Sequence, residues 1–461
     1  MANRCIPNET DEIRREILET IGIKDVDKLF SDIPEQIRLK RPLSLPEPLS
    51  ELEVRRETEK ILRKNRTTKD LISFLGGGVW PHYVPALVDE VSSRSEFLTS
   101  YTPYQPEISQ GILQVLFEYQ SMMCEILAMD VANCSMYDWA SSLGEASRMA
   151  ARVTQRDEIL VPHHIAPERM AVVKTYAEPA GIKVVEVGHT QEDGQIDLED
   201  LNEKVSNDTA AVYIENPSYL GFLMKSVDAI SEIVHDAGGL FVVGVDPTSL
   251  GVFKPPGDYG ADIVVGEGQP LGNYMNNGGP LLGIFACRYD PRFVRQMPGR
   301  IVGMTTTKNG DRRAFCLALQ TREQHIRRHK ATSNICTNQA LCALRATVYT
   351  ALLGWKGLRE LSENILSKTH YAISSLSEIE SVHAPLFDAC HFKDFTVDFN
   401  QTSKSVEEVN NGLLQLGILG GKPLNQEFPE LAETSLYCVT ELNTLEDIGM
   451  LKAGIEQILE G

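Results

Sequence analysis

The stretch from residue 240 to residue 286 decides the fold: LFVVGVDPTSLGVFKPPGDYGADIVVGEGQPLGNYMNNGGPLLGIFA. It contains three short apolar runs bounded by polar or glycine-rich residues, at 240–245, 263–265 and 281–286. Such runs are typical of strands that are buried on both faces of a parallel sheet. Asp246 follows the first run and Gln269 follows the second. Both side chains are therefore predicted at the carboxyl edge of the sheet, where open α/β sheets bind ligands.

The order of residues in this stretch resembles that of a cofactor-binding fold. In pyridoxal-phosphate enzymes of the aspartate-aminotransferase fold, an aspartate holds the pyridinium nitrogen and a lysine before a GGP turn forms the Schiff base. Here the GGP turn is 278–280, and Gln269 stands where the lysine would be. DIVVGEGQPLG with GGPLLGIFA resembles the glycine decarboxylase P-protein family, specifically subunit 1, the alpha chain of its two-chain form. Glutamine cannot form an imine, so Asp246 and Gln269 are interpreted as vestigial cofactor-site residues.

Composition and charge restrict the class of protein. The chain has 461 residues, 42% of them apolar, and a formal net charge of -20. An acidic surface disfavours nucleic acid and anionic membranes as partners, and no apolar run reaches the roughly 18 residues of a membrane span. The polar N-terminus is unlike a signal peptide. Nine scattered cysteines without a CxxC pair favour reduced thiols and no zinc site. We predict a cytoplasmic enzyme that binds no metal.

Residues 1–65 are predicted to form an N-terminal helical arm. Thr10 can cap a first helix, and Ser50 with Glu53 forms a capping box for a second. Four prolines between residues 34 and 48 separate the two helices. Because such a segment buries little surface alone, we expect the arm to lie on a partner subunit. The alternative is an arm that folds onto its own chain.

The remainder alternates strand and helix patterns. Strands are predicted at 159–161, 183–187 and 210–214 before the 240–286 stretch, and later at 395–399 and 436–440. This alternation predicts an α/β fold with a mostly parallel sheet. With the resemblance, the predicted architecture is an aspartate-aminotransferase-like large domain (PLP fold type I) over 66–335 and a small C-terminal α/β domain over 336–461.

Two segments carry candidate catalytic residues. The glycine-rich FLGGGVWPHYVP (74–85) contains His82, which is either a catalytic group or a packed loop histidine. The turn YTPYQPE (101–107) is rich in hydroxyl groups and suits either a small polar ligand or a neighbouring subunit. The resemblance implies that His82, Tyr101 and Tyr104 contribute to an active site shared with the other subunit.

The segment QTREQHIRRHKATSNICTNQ (320–339) resembles the family sequence almost letter for letter. Its Thr332, Ser333 and Asn334 offer hydroxyl and amide donors, which suit a phosphate. The resemblance implies that this loop reaches the phosphate of the partner's cofactor. A plain cap for the helix that begins near Asn338 is the alternative, and both roles can coexist.

Three other positions leave alternatives open. In NCSMYDWASSLGEASRMA (133–150), small residues retain part of the turn that, in lysine-bearing relatives, binds the cofactor phosphate at the start of a helix. Trp139 departs from the family's usual glycine, and its indole either fills a vestigial cofactor pocket or lies at a surface or interface. His163 and His164 follow a strand, where a residue of this fold can stack on the pyridine ring.

The resemblance implies a function for the whole chain. As a subunit of glycine dehydrogenase (aminomethyl-transferring), it would pair with a beta chain as α2β2. That beta chain would hold pyridoxal phosphate covalently, and the pair would decarboxylate glycine and pass the aminomethyl group to lipoylated H-protein. A structural or regulatory pseudoenzyme is the alternative, favoured by the NYMNN departure at 273–277. A self-sufficient Schiff-base enzyme is disfavoured, because none of Lys225, Lys254 and Lys308 follows a sheet strand in a turn ahead of the GGP motif.

Overall fold

A computed structural model describes residues 6, 10–98, 100, 102–335 and 337–461. The chain divides into two compact units, residues 1–66 and residues 67–461. The division of the second unit at residue 335 stays a prediction.

The first unit contains the two predicted helices, α1 (Asp11–Ile21) and α2 (Glu51–Leu62), with a 3-10 turn at Val26–Phe30 between them. The Thr10 side chain caps α1 by accepting from the Ile13 amide, and the Ser50–Glu53 capping box is formed. No described residue of 1–66 is buried. The local capping signals therefore set the helices, and their apolar side chains stay largely exposed.

Fourteen strands lie in the described residues of the second unit. They are β1 Ile72–Ser73, β2 Val131–Ala132, β3 Glu158–Pro162, β4 Lys183–Val187, β5 Thr209–Glu215, β6 Leu240–Val245, β7 Ile263–Glu267, β8 Gly283–Cys287, β9 Ile301–Thr306, β10 Arg313–Ala318, β11 Asp394–Asp398, β12 Ile418–Leu419, β13 Lys422–Pro423 and β14 Thr434–Cys438. The bounds of β4 and β6 match their predicted runs, and the other predicted strands differ from the observed ones by one to two residues at their ends.

The central sheet has seven strands in the order β2-β8-β7-β6-β5-β3-β4. Strands β3 to β7 are parallel, whereas β8 runs antiparallel to β7. The third apolar run of the deciding stretch was expected to continue the parallel sheet, and this expectation is wrong for β8. The turn after β7 reverses the chain directly, without the crossover that a parallel neighbour needs.

The second unit contains twelve helices in its described residues. They are α3 Ala86–Ser92, α4 Ser95–Leu98, α5 Gln110–Leu127, α6 Trp139–Thr154, α7 Pro167–Ala177, α8 Leu198–Lys204, α9 Val227–Asp236, α10 Pro291–Gln296, α11 Gln324–Arg327, α12 Ala340–Leu376, α13 Val406–Gln415 and α14 Leu445–Glu460. Helix α12 is interrupted at Gly354, whose φ of 59° is left-handed.

Helices cover both faces of the central sheet. In β6, Phe241, Val243 and Val245 join the core that contains α5 and α12, whereas Leu240 and Val242 join the core that contains α6 and α7. This alternation follows from the two-residue period of a strand. A third core lies under the C-terminal sheet β11-β14-β13.

A buried histidine just before β11 is expected to make the stability of the chain depend on pH. His391 is fully buried and donates from Nδ1 to the Ala389 carbonyl. Burial lowers its pKa to about 4, against about 6.5 in an unfolded chain. Between these values only the unfolded chain takes up the proton, so stability falls as pH drops. We expect this group to remove about 3 kcal/mol between neutral pH and a pH of about 4.

Urea unfolding at several pH values gives the free energy of unfolding as a function of pH. The contribution of His391 is the difference in slope between the native chain and His391→Gln. The exposed His383→Gln serves as the control and should keep the native slope. Equal slopes for all three proteins would contradict the assignment.

Candidate functional site

The carboxyl end of β6 carries a buried ion pair in place of an open ligand site. Asp246 accepts from the amide and hydroxyl of Thr248, at 3.0 and 2.8 Å. Its other oxygen lies 2.6 Å from Nζ of Lys393, the residue that precedes β11. Both side chains are buried. The carboxylate that the sequence assigned to a pyridinium nitrogen is therefore satisfied by a lysine of the same chain.

The Lys393 ammonium is held from several sides. Its Nζ lies 2.9 Å from Nε2 of His82 and 3.3 Å from the Thr248 hydroxyl, and 3.9 Å from the centre of the Trp80 ring. A ring face attracts a cation, and the attraction grows when water is excluded. Lys393 is thus anchored beside Asp246 by contacts with His82, Thr248 and Trp80.

His82 forms the next link behind Lys393. Because an ammonium only donates, His82 Nε2 accepts, and the ring proton is therefore on Nδ1, which donates to Glu441 at 2.8 Å. Burial, reinforced by the Lys393 charge, lowers the pKa of His82 and keeps it neutral. Its side chain is 1% exposed. Both ring nitrogens are occupied within the chain, so His82 is placed to position its neighbours.

Gln269 lies just past β7, as predicted, with its side-chain amide fully engaged. Its Oε1 accepts from the Trp80 amide at 3.2 Å, and its Nε2 donates to the Asn273 carbonyl at 2.8 Å. The amide therefore ties the turn after β7 to the glycine-rich loop that precedes Trp80.

Trp139 is buried at the start of α6, which excludes the surface position left open by the sequence. Its Nε1 donates to the Tyr213 hydroxyl at 3.0 Å, and this hydroxyl donates to Glu215 at 3.0 Å. Arg169 pairs with Glu215 at 2.7 Å and stacks on the indole, 3.6 Å from the ring centre. This cluster fills the space between α6, α7 and the ends of the strands.

The amino end of α6 is already occupied by two carboxylates. Asp138 caps the helix by accepting from the Ser141 amide at 2.7 Å. Glu267 accepts from the Trp139 amide at 3.2 Å and from the Gln269 amide at 2.9 Å. Burial raises the pKa of Glu267 to about 7. In lysine-bearing relatives such amides would hold the cofactor phosphate, but here side chains of the chain itself use them.

The remaining space is too small for a pyridoxal ring. Only about 10 Å³ is left between the buried groups, whose members include Trp80, Trp139, Arg169, Asp246 and Lys393. That volume holds at most about one water molecule. A wider groove of about 250 Å³ opens nearby, but three carboxyl side chains line it, those of Asp138, Glu168 and Glu267. Its one cationic side chain, Arg169, is already paired with Glu215. The residues of this chain therefore do not fit pyridoxal phosphate.

The other predicted site residues lie in different surroundings. Tyr104 is 51% exposed. Its hydroxyl accepts from Arg300 at 3.1 Å, and its ring meets His325 edge-on at 6.4 Å between centres. Tyr101 lies outside the described residues. Tyr104 thus has solvent-accessible area, whereas His82 does not, and no described contact joins the two.

The Thr332–Asn334 loop faces helix α6 of its own chain. Ser333 donates to Glu145 of α6 at 2.6 Å, and the Thr332 hydroxyl lies 3.4 Å from the Arg322 carbonyl. Asn334 is exposed. Ser333 also accepts from the Ile335 amide at 3.1 Å. The alternative role of the loop as a cap for the helix near Asn338 is wrong, because α12 begins after Gln339 and has no side-chain cap hydrogen bond. Of the three side chains only Asn334 is exposed, whereas Thr332 and Ser333 are half-buried.

Sequence reasoning missed Lys393, which comes from the C-terminal region, 311 positions from its partner His82. One signal was present: a lysine and an aspartate interrupt the apolar run HFKDFTVDF at the start of β11. A charged pair at the start of a buried strand needs partners, which indicates a polar cluster.

Comparisons with known proteins decide the family. The family model for the glycine cleavage system P-protein matches residues 3–453. The chain belongs to this family. It is 50% identical over 461 residues to the probable glycine dehydrogenase (decarboxylating) subunit 1 of Staphylothermus marinus, covering 98% of each chain. The same identity holds for the protein of that name in Pyrococcus furiosus, over the whole of both chains.

A solved structure gives the same family. The crystal structure of a glycine decarboxylase (P-protein) of the glycine cleavage system, in inhibitor-bound form, has a TM-score of 0.87 and 40% identity over all of both chains. A sphingosine-1-phosphate lyase of Burkholderia pseudomallei shares only the fold, with a TM-score of 0.67 and 14% identity over 93% of this chain and 94% of that chain. The predicted family and α/β fold type are confirmed.

These relatives also bear on enzyme class and partners. The predicted class, glycine dehydrogenase (decarboxylating), fits their names, and the designation "subunit 1" implies a second subunit. Among the described residues, no helix combines the length and apolar character needed to cross a membrane.

Proposed function

We infer that this chain is the subunit of a two-chain, cytoplasmic glycine decarboxylase that does not carry the cofactor. The observation that carries the proposal is the filled site of the chain: Lys393 neutralises Asp246, and Gln269 stands in the imine position. A P-protein that cannot hold pyridoxal phosphate depends on another polypeptide for that group. The cofactor, when bound by the beta chain, supplies the electron sink for loss of CO2 from glycine.

The contribution of this chain is to complete and shield a shared site. The exposed Tyr104 side chain is oriented by Arg300. The Thr332–Asn334 loop presents the exposed amide of Asn334, and its two hydroxyls, which donate to Glu145 and the Arg322 carbonyl in this chain, are proposed to turn toward the ligand in the complex. Such donors suit the phosphate of a cofactor held by the beta chain. Tyr101 is proposed to act beside Tyr104. His82 acts as a positioning residue, since its side chain is inaccessible.

The proposed assembly is α2β2, with lipoylated H-protein as the acceptor of the aminomethyl group. The arm of residues 1–66 is proposed to pack on the second chain, because its helices expose apolar side chains such as Ile17, Ile21 and Ile61. Covering exposed apolar area is a principal source of association energy.

Reconstitution tests the proposal. The full chain is mixed with a lysine-bearing beta-type P-protein chain, lipoylated H-protein, glycine and labelled CO2, and exchange into the glycine carboxyl is measured. We expect exchange with both chains and none with either alone. Exchange by this chain alone would contradict the proposal.

A double variant distinguishes a chain that contributes to a shared active site from a chain that is only structural. Tyr104→Phe with Asn334→Ala is expected to bind the beta chain normally but to lower exchange about 100-fold, the cost of removing donors from a preorganised site. Asn207→Ala, at a turn of the second unit, is the control. If the unmodified chain forms a complex with the beta chain but shows no exchange at all, the structural or regulatory pseudoenzyme would be favoured instead.

A further inference from the structure

Three histidines converge at the carboxyl ends of two neighbouring strands, outside the site described above. His163 and His164 directly follow β3, and His189 follows β4, its parallel neighbour. The ring centres of His164 and His189 are 4.0 Å apart, and His163 lies 5.0 Å and 5.3 Å from them. One ring nitrogen from each histidine lies within 4.8 Å of the others.

A carboxylate lies beside two of the three histidines. Oε1 of Glu430, in the 3-10 turn Pro429–Leu431 ahead of β14, lies 2.8 Å from Nε2 of His163 and 3.5 Å from Nε2 of His164. On the other side of the ring, His163 Nδ1 lies 3.2 Å from Glu186. A carboxylate that accepts from one ring nitrogen directs the other toward a metal, as is usual for histidine ligands.

His164 is the most informative member. It is 4% exposed, and neither of its ring nitrogens makes a hydrogen bond of good geometry within the described residues. Buried polar groups normally have partners. An imidazole nitrogen without a hydrogen-bond partner has a lone pair that a Lewis acid can take.

We propose that His163, His164, His189 and Glu430 bind one divalent transition-metal cation, with zinc as the best match. Imidazole nitrogens with one carboxylate suit zinc in tetrahedral coordination. Zinc–nitrogen distances of about 2.0 Å place ligand atoms about 3.4 Å apart, so the rings must close by about 1 Å on binding. The cation would join the ends of β3 and β4 to the segment that carries Glu430.

The experiment uses the full chain after treatment with a chelator, with Co²⁺ as the probe. Tetrahedral Co²⁺ absorbs visible light far more strongly than the hydrated ion, so titration reports both stoichiometry and geometry. We expect one equivalent per chain with a tetrahedral spectrum, displaced by Zn²⁺. His163→Gln and His189→Gln are expected to weaken binding at least about 100-fold, and Glu430→Gln about 10- to 100-fold.

The exposed His383→Asn is the matched control and should bind as the native chain does. Circular dichroism checks that each variant is folded, and the half-exposed His163 gives a variant that tolerates substitution if His189 does not. Octahedral Co²⁺ spectra, or equal affinity in the cluster variants and His383→Asn, would overturn the proposal and leave three imidazoles that only pack together. Because activity is not the readout, the result is independent of the proposed decarboxylase function.

Discussion

Replacing Lys393 with methionine is expected to lower the free energy of unfolding by about 3–5 kcal/mol. The variant keeps most of the volume of the side chain but leaves the Asp246 carboxylate buried without its counter-ion. It also removes the donor to His82 and the cation over the Trp80 ring. Urea unfolding of the isolated chain measures the change.

Two further variants define the cause of that loss. Asp246→Asn combined with Lys393→Met removes both charges and should recover more than half of the stability, because the uncompensated charge is gone. Lys452→Met breaks an exposed pair with Glu378 and should cost at most about 1 kcal/mol. If Lys393→Met cost no more than Lys452→Met, the buried pair would not be a determinant of the fold.

Trp139→Ala is expected to destabilise the chain by about 3–5 kcal/mol, the usual cost of truncating a buried aromatic side chain. The variant loses the hydrogen bond to Tyr213 and the stacking surface of Arg169. It also enlarges the small buried space that Trp139 lines together with Asp246 and Lys393. We nevertheless expect no cofactor binding, because Asp138 and Glu267 still occupy the amino end of α6.

Trp355→Ala is the control for this prediction, since Trp355 is 72% exposed. It should change stability by no more than about 0.5 kcal/mol. Each variant is incubated with pyridoxal phosphate, followed by absorbance spectroscopy and borohydride reduction. A cofactor spectrum in Trp139→Ala would show that the indole alone excludes the group.

The sequence predicted the sheet well because its signal is local. Near-continuous apolar runs identified β6 and β7 within two residues, and the capping residues Thr10 and Ser50 marked the starts of both arm helices. Strand direction is not encoded in an apolar run, so β8 was expected in the wrong orientation. The hairpin of β9 and β10 was not predicted, although Asn309-Gly310 is a recognised hairpin turn signal.

The site was harder to predict because its parts are distant in sequence. Asp246 and Gln269 were located from their own strands, but the lysine that pairs with Asp246 comes from the C-terminal region. Lys225, Lys254 and Lys308 were considered only as possible Schiff-base lysines, and no lysine was predicted to pair with Asp246. For Trp139, residue type alone left a buried and a surface position open, and the packing of Arg169 on its ring decided for the buried one. Side-chain partners across strands depend on topology, which local patterns do not contain.

The Lys393–Asp246 pair also has a mechanical consequence. Asp246 ends β6 of the central sheet and Lys393 precedes β11 of the C-terminal sheet, so one buried contact fastens the two sheets together. Pulling them apart would break a buried ion pair and cost each charge its counter-ion, which is strongly unfavourable. The pair therefore resists movement of the C-terminal sheet relative to the central sheet.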